Sequence, residues 1–456
     1  MAKGRIELDP EQVEAVARMV SEPTRAALNA SQYGTGKTVV TVEVGQQVAG
    51  ADGVKIIVAP LHTKYSWRST ILRQYPDETV QFVNSLKSGK AALDDLLSLK
   101  AGWYIFGREF FQTKRINDAL VKIIEKVDYL AYDECQRWAN HKSQGFKAMK
   151  RMKAKYRMAL SATPGANKFS GLYAITQWLW PKLEGHASFW TWAATWGNVV
   201  QDYYSTNVDG ERVPGAFVAS LPCYVRLEKD FGDPIEDRIE VVLSPKERRI
   251  YDQIEKTMIA WFGDNPLVIT LPIVKRIRLR QASLGELTYD AENDIVGFPL
   301  DMKSSKYDAL IGFINEHDDE PILILTDSTK YANIVAARLA LEGKRAVSWT
   351  GEVGEKERHE ILDAFVETKE VDYIVATIAS IGEGVDGLQH RAHIMVWLSR
   401  SDNMMLNEQA FRRLHRRGQD KTVISVDIVA LDTIDDGQIS VLLQRAIDMN
   451  RSLRAK

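Results

Sequence analysis

The sequence predicts an α/β protein with two parallel sheets in tandem, on three observations. Short apolar runs rich in β-branched and aromatic residues alternate with longer amphipathic stretches, the pattern of strand-helix-strand units whose strands are buried on both faces. The pattern runs through two blocks, separated at roughly 184–303 by a stretch where periodicity weakens and Gly, Pro and Asp gather, as in FGDPIEDR and FGDNPL. The 456 residues, 45% hydrophobic and 26% charged, suffice for two or three domains with ordinary buried cores and exclude a wholly disordered chain.

In the first block VKIIVAP (54–60), WYIFG (103–107), VDYLAYDE (127–134) and RMALSATP (157–164) are strands by composition. In the second block PILILT (321–326), RAVSW (345–349), VDYIVAT (371–377), HIMVWL (393–398) and TVISVDIVA (422–430) play the same part. We place the junction near Phe231 to Asp237, giving domains 1–230 and 231–456, with helical linking segments over about 231–303. Two stretches there, SPKERRIYDQIEKTMIAWF and PIVKRIRLRQA, are expected to be helices. TVVTVEVGQQVAG (38–50) is rich in β-branched residues and would be a strand by propensity alone. The glycine-rich loop before it argues for a helix, and we assign one.

Lys and Arg number 59 against 61 Asp and Glu, so an anionic partner must be met by local basic patches rather than by net charge. Two cysteines, Cys135 and Cys223, cannot build a disulfide framework or a four-thiolate zinc site, which fits a reducing compartment. The N-terminal residues do not have the form of a secretory signal and no apolar run reaches about 18 residues, so a soluble chain without a membrane partner is expected.

Three motifs carry chemistry. SQYGTGKT (31–38) has glycines that let backbone amides turn toward a polyphosphate at a helix N-terminus, a lysine, Lys37, that can reach the outer phosphates, and Thr38, whose hydroxyl can hold magnesium. Ser31 stands where the full phosphate-loop pattern has glycine, while Gly34, Thr35, Gly36, Lys37 and Thr38 are intact. LAYDECQ ends an apolar strand with adjacent acids, Asp133 and Glu134. Nucleotide hydrolysis needs one carboxylate near the metal and another beside the attacking water. NEQAFRRLHRRGQ (407–419) puts Gln409, Arg413 and Arg416 at spacings of four and three, one face of a helix, from which guanidinium groups could stabilise charge on a phosphoryl group. Each has a bland counterpart: a glycine-rich surface turn, a solvated strand end, a solvated basic face.

Taken in order, SQYGTGKT, IIVAPLHTKYSW, DECQRWAN, LSATP, ATIASIGEGVDGLQ and QAFRRLHRRGQ resemble the motifs of superfamily II helicases, closest to the Swi/Snf class of double-stranded-DNA translocases. The likeness covers about Gln12 to Val429. It implies two RecA-like lobes with ATP between them and nucleic acid running across both. Carried over, Lys37 and Thr38 would bind phosphate and magnesium, Asp133 would hold the metal, Glu134 would act as base and Gln136 would sense the γ-phosphate. Arg413 and Arg416 would be arginine fingers. Gly382, Glu383, Gly384 and Asp386 would couple nucleotide state to nucleic acid, with Gly384 and Asp386 at the ATP, and Gln12 would read adenine. Thr63, Lys64, Arg108 and Thr377 would face the nucleic-acid strand.

Cys135-Gln136 replaces the usual Ala-His, and SATP replaces the commoner Thr-Gly-Thr-Pro, so the chain departs from the class at two motifs. A compact viral or bacterial translocase is implied: ATP and Mg2+ as cofactors, duplex or forked DNA as partner, a monomer in the cytoplasm. An RNA helicase of related architecture and a nucleotide-switched clamp with little turnover are the rivals. KSQGFKAMKRMKAKYR (142–157), with Lys150 and Arg151, and KRIRLR (275–280) are candidate phosphate contacts. Trp178, Trp180, Trp190, Trp192 and Trp196 could stack on unpaired bases or simply pack. The eight histidines show no metal-ligand pattern and are expected to be structural.

Overall fold

The computed structural model describes residues 4–83, 89–165, 168–201, 206–301, 303–318, 320–382, 387–437 and 451–454. It divides into two compact units, Met1–Lys229 with Arg445–Lys456, and Asp230–Gln444. The described closing residues, 451–454, thus group with the first unit rather than with the second. Tyr224 Oη donates to the Leu453 carbonyl at 2.6 Å and fixes them there.

The first unit carries strands β1 (Ala26–Asn29), β2 (Val54–Ala59), β3 (Val80–Val83), β4 (Gly102–Gly107), β5 (Tyr129–Tyr132), β6 (Tyr156–Leu160), β7 (Gly197–Gln201), β8 (Thr206–Glu211) and β9 (Tyr224–Val225). Seven form one sheet in the order β3-β4-β2-β5-β6-β1-β9, and its pairings are all parallel. β1, β2, β4 and β5 are buried at every residue, which is why they appear in sequence as unbroken apolar runs. Two buried polar residues interrupt these runs, Asn29 at the end of β1 and Lys55, whose ammonium reaches the Gly50 carbonyl (2.6 Å) and Glu78 (3.2 Å), and whose pKa burial lowers.

Lys37–Ala49 is a helix, as assigned, despite its valines. Val39, Val40, Val42 and Val44 are buried, so packing on the sheet overrides the strand propensity. Gly45 makes that approach possible: a Cβ there would lie 2.6 Å from Trp103 and 2.7 Å from Tyr129.

The second unit carries β10 (Ile235–Val241), β11 (Ile259–Phe262), β12 (Asn265–Val268), β13 (Thr288–Asp290), β14 (Ile295–Gly297), β15 (Ile322–Thr326), β16 (Ala346–Trp349), β17 (Tyr373–Thr377), β18 (Ile394–Trp397) and β19 (Ile424–Ala430). Its parallel sheet runs β10-β19-β18-β15-β17-β16. Two features of the linking region differ from expectation. Edge strand β10 begins within the expected junction and runs beyond it to Val241, and its largely exposed side chains give no apolar run to find. The first linking helix stops at Thr257 rather than running through IAWF, because Met258 takes a left-handed φ of 58° and Ile259–Phe262 pairs back on Asn265–Val268 across Gly263-Asp264. The second, Pro272–Ala282, is a helix throughout. Among the described residues no helix is long and apolar enough to cross a membrane.

Candidate nucleotide site

The chain leaves β1 through SQYGTGKT and enters the helix at Lys37, capped by Gly36. Gly34 and Gly36 adopt φ of 77° and 81°, a region that side chains disfavour, and a Cβ on Gly36 would collide with the Gln12 amide. Gln12 is buried in the helix Pro10–Val20; its Nε2 donates to the Thr35 carbonyl at 2.7 Å and its Oε1 accepts from Asp9 N at 2.8 Å. The Thr35 hydroxyl closes the turn on the Gln32 carbonyl at 2.7 Å. Lys37 Nζ donates to the Ser31 and Gln32 carbonyls at 2.8 and 2.9 Å and lies 4.8 Å from the Tyr33 ring centre. The loop is therefore held in shape by its own chain, with the positive helix end and Thr38 in the first turn.

Asp133 follows β5, its N–H donating to the Val58 carbonyl at 2.8 Å. Its carboxylate accepts from Trp67 Nε1 at 3.1 Å and from the Glu134 N–H at 3.0 Å. Removal from water, then the neighbouring Glu134 charge, push its pKa up to about 7, and Lys37 pulls the other way. Glu134 holds a left-handed φ of 53°, a strained conformation for a non-glycine residue of the kind found at functional sites. The Gln136 amide donates to the Glu134 carboxylate. Cys135 is fully buried and its thiol is driven far up, so it occupies the departure from the class as a small packing residue. Ser161 of SATP bonds the Asn29 carbonyl through its N–H at 3.1 Å, tying that motif to the end of β1.

This donor set fits magnesium and a polyphosphate. A hydroxyl and a carboxylate are the hard oxygen ligands magnesium prefers, usually as one or two carboxylates beside phosphate oxygens, and a desolvated carboxylate next to a second acid gains from a cation. Among the described residues no cluster of three or more His, Cys, Asp or Glu forms a dedicated metal cage.

In the second unit the expected helix over 407–419 is shorter: it spans Met404–Phe411. The N–H groups of Arg413 and Leu414 bond three residues back rather than four, and Leu414 turns into the core. Gln409 is thus helical, while Arg413 and Arg416 sit in the turns beyond, and the one-face spacing argument does not hold for them. Arg413 donates to the Gly382 carbonyl. Arg412 is braced by Glu408 at 2.8 Å and by His415 Nδ1 at 2.8 Å, and His415 Nε2 reaches the Gly232 carbonyl at 2.7 Å. Glu383, Gly384 and Asp386 lie outside the described residues.

The expected nucleic-acid contacts divide. Lys64 lies 4.6 Å from the Tyr65 ring centre, the Thr63 hydroxyl bonds the Pro60 carbonyl at 2.8 Å, and Arg108 Nε meets Glu109 at 3.0 Å; Lys150 is exposed. Arg151 is engaged by Asn117 (2.9 Å) and Asp118 (2.6 Å), and Thr377 is buried against Ser380 at 2.6 Å. In KRIRLR, Arg276 pairs with Asp402 and Arg280 with Asp327 and Asp402. Trp178, Trp180 and Trp192 are core; Trp190 is 50% exposed. Trp67 is the site residue that sequence reasoning missed: it lies in the quoted string IIVAPLHTKYSW, yet nothing local announces that its indole will meet a carboxylate 66 residues on.

Two parallel α/β units, the first bearing a phosphate loop and an acidic strand end, have the sheets expected of two RecA-like lobes. Residues 11–266 match the SNF2-related domain and residues 305–418 the helicase conserved C-terminal domain. The first match alone spans more than half of the chain, which belongs to the SNF2-related family. An uncharacterized ATP-dependent helicase of Mycoplasma pneumoniae is 21% identical over 455 residues, 96% of this chain and 41% of that protein. Another, of Mycoplasma genitalium, is 23% identical over 330 residues, 70% and 30% respectively. The chromodomain-helicase-DNA-binding protein 1-like of Danio rerio is 21% identical, covering 98% of this chain and 44% of the relative. This chain thus spans less than half the length of these relatives. Among solved structures, the Sulfolobus solfataricus SWI2/SNF2 ATPase core in complex with dsDNA aligns with a TM-score of 0.42 and 19% identity over 98% of this chain and 93% of that one.

Proposed function

We propose that the chain hydrolyses ATP with Mg2+ and uses the cycle to move along DNA, remodelling duplexes, forks or bound proteins. The observation that carries this reading is the pairing, within one unit, of a phosphate loop held in shape by its own hydrogen bonds with two adjacent acids at the end of β5, the first of them held by Trp67. When bound, ATP with magnesium supplies the phosphoryl group and the positive charge at its oxygens. Lys37 exchanges its two carbonyl partners for phosphate oxygens, and Thr38 and Asp133 hold the cation. Glu134 accepts the proton of the attacking water, held in position by Gln136. Gln12 keeps the loop in shape beside the base of the nucleotide. In the second unit Arg413 and Arg416 are the candidate arginine fingers, and Gly384 and Asp386 the candidate residues that answer ATP. Thr63, Lys64, Arg108 and Lys150 supply contacts to the DNA backbone.

Steady-state phosphate release by the full chain, with duplex DNA, single-stranded DNA, forks and RNA as separate activators, tests the reading. Duplex DNA is expected to stimulate most. Stimulation by RNA alone would replace the DNA assignment with an RNA helicase, and no turnover with any activator would leave a nucleotide-switched clamp.

A further inference from the structure

A concave surface lies within the first unit, lined by none of the nucleotide-site residues. It is a groove of about 800 Å³ between the segment after SATP and the hairpin β7–β8. Its aromatic wall is Trp190, half exposed, while the neighbouring Phe189 is fixed by stacking on His141 at 4.0 Å between ring centres. A half-exposed indole backed by a braced aromatic pair is an open π-face on a rigid support, since Phe189 and Trp190 meet edge to face at 5.1 Å.

The rim is cationic. Lys142, Lys168 and Arg451 line it and are exposed, and among the described residues none of the three side chains has a carboxylate partner. Two acids also line it. Glu211 is turned to the backbone, accepting from Gly215 N at 2.8 Å and Phe217 N at 2.7 Å, which leaves Asp209 as the exposed anion against three cations. The opposite wall offers Val200 and Asn207, paired across the hairpin. A planar apolar face and three cations without a carboxylate partner among the described residues are together complementary to a base and the phosphates on either side of it. A duplex presents phosphates but no free base face, so the indole discriminates in favour of an unpaired strand.

We propose that this groove binds single-stranded DNA, with a base on Trp190 and phosphates on Lys142, Lys168 and Arg451. The proposal rests on the DNA-translocase reading and deepens it, since it gives the first unit a place for a strand displaced at a fork or overhang.

The test is fluorescence anisotropy of the full chain with labelled oligothymidine, labelled oligouridine and a labelled blunt duplex, for the wild type, Trp190→Ala, Trp190→Phe and Lys168→Glu. Trp190→Ala and Lys168→Glu are expected to weaken oligothymidine binding about tenfold each, Trp190→Phe to keep most of it, and blunt-duplex affinity to stay within about twofold, given the usual worth of one stacked base. Equal oligothymidine affinity in wild type and Trp190→Ala overturns the proposal, as does a preference for oligouridine. Duplex binding without single-strand binding by the wild type overturns this groove alone. No binding to any of the three overturns the translocase reading with it.

Discussion

In the first unit the candidate chemistry sits where parallel strands run out. Lys37 follows β1, Asp133 and Glu134 follow β5, and each side chain is held by a short hydrogen bond from its own unit. In the second unit the arginines follow a helix that ends early, on turns that fold Leu414 into the core. One region fixes its groups at strand ends through bonds within its own unit, the other carries charge on a bend braced by Glu408, His415 and Gly382, and the charged residues of both are half-buried. The difference teaches that the acids can be tuned by burial, while the arginines, which stay charged in any setting, need only be aimed.

The sharpest way to break this comparison is Arg413→Ala or Arg416→Ala. If the bend supplies charge to the phosphoryl group, kcat for ATP falls by about 10³-fold or more while nucleotide affinity changes little. Unchanged kcat would mean that the first unit carries the chemistry alone. Glu134→Gln and Lys37→Ala come next, with an expected loss of at least about 10²-fold in kcat; Glu134→Gln retains nucleotide binding in a dialysis assay and Lys37→Ala loses it. Gly36→Ala tests whether the loop is preshaped: the left-handed φ alone costs about 1–2 kcal/mol and the clash with Gln12 adds to it, so chemical denaturation should show a clear drop in stability that Gln12→Ala partly relieves.

The smallest effect sharpens the account of the bend. Removal from water lowers the His415 pKa below its ordinary 6.5. A histidine kept neutral by the fold contributes stability that is complete above that value and is lost as pH falls through the depressed one, because the unfolded chain then binds the extra proton. Melting temperatures across that range should therefore fall more steeply with acid in the wild type than in His415→Gln. A parallel fall in both would show that the Arg412–His415 contact does not brace the bend.

Much of this was legible because buried strands announce themselves. The nine runs assigned as strands each overlap one, and the phosphate loop outvoted the valines of the helix Lys37–Ala49 for a physical reason, the need for a helix N-terminus at an anion. What stayed hidden depended on distant partners or on exposure. Edge strand β10 shows a largely polar face, Trp67 meets Asp133 only through the fold, and the end of the helix at Phe411 is set by where Leu414 finds its pocket. The Gly263-Asp264 turn was visible but was taken as linker punctuation rather than as a hairpin.

Because the first unit reclaims a segment from beyond the second, its chain is interrupted, and the carbonyl that Tyr224 seeks lies 229 positions downstream. A ribosome delivers the whole second unit before that carbonyl emerges. The first unit must therefore wait, partly unfinished, for synthesis of its neighbour, and an expression fragment cut near residue 229 would lack the closing strap of the unit it was meant to isolate.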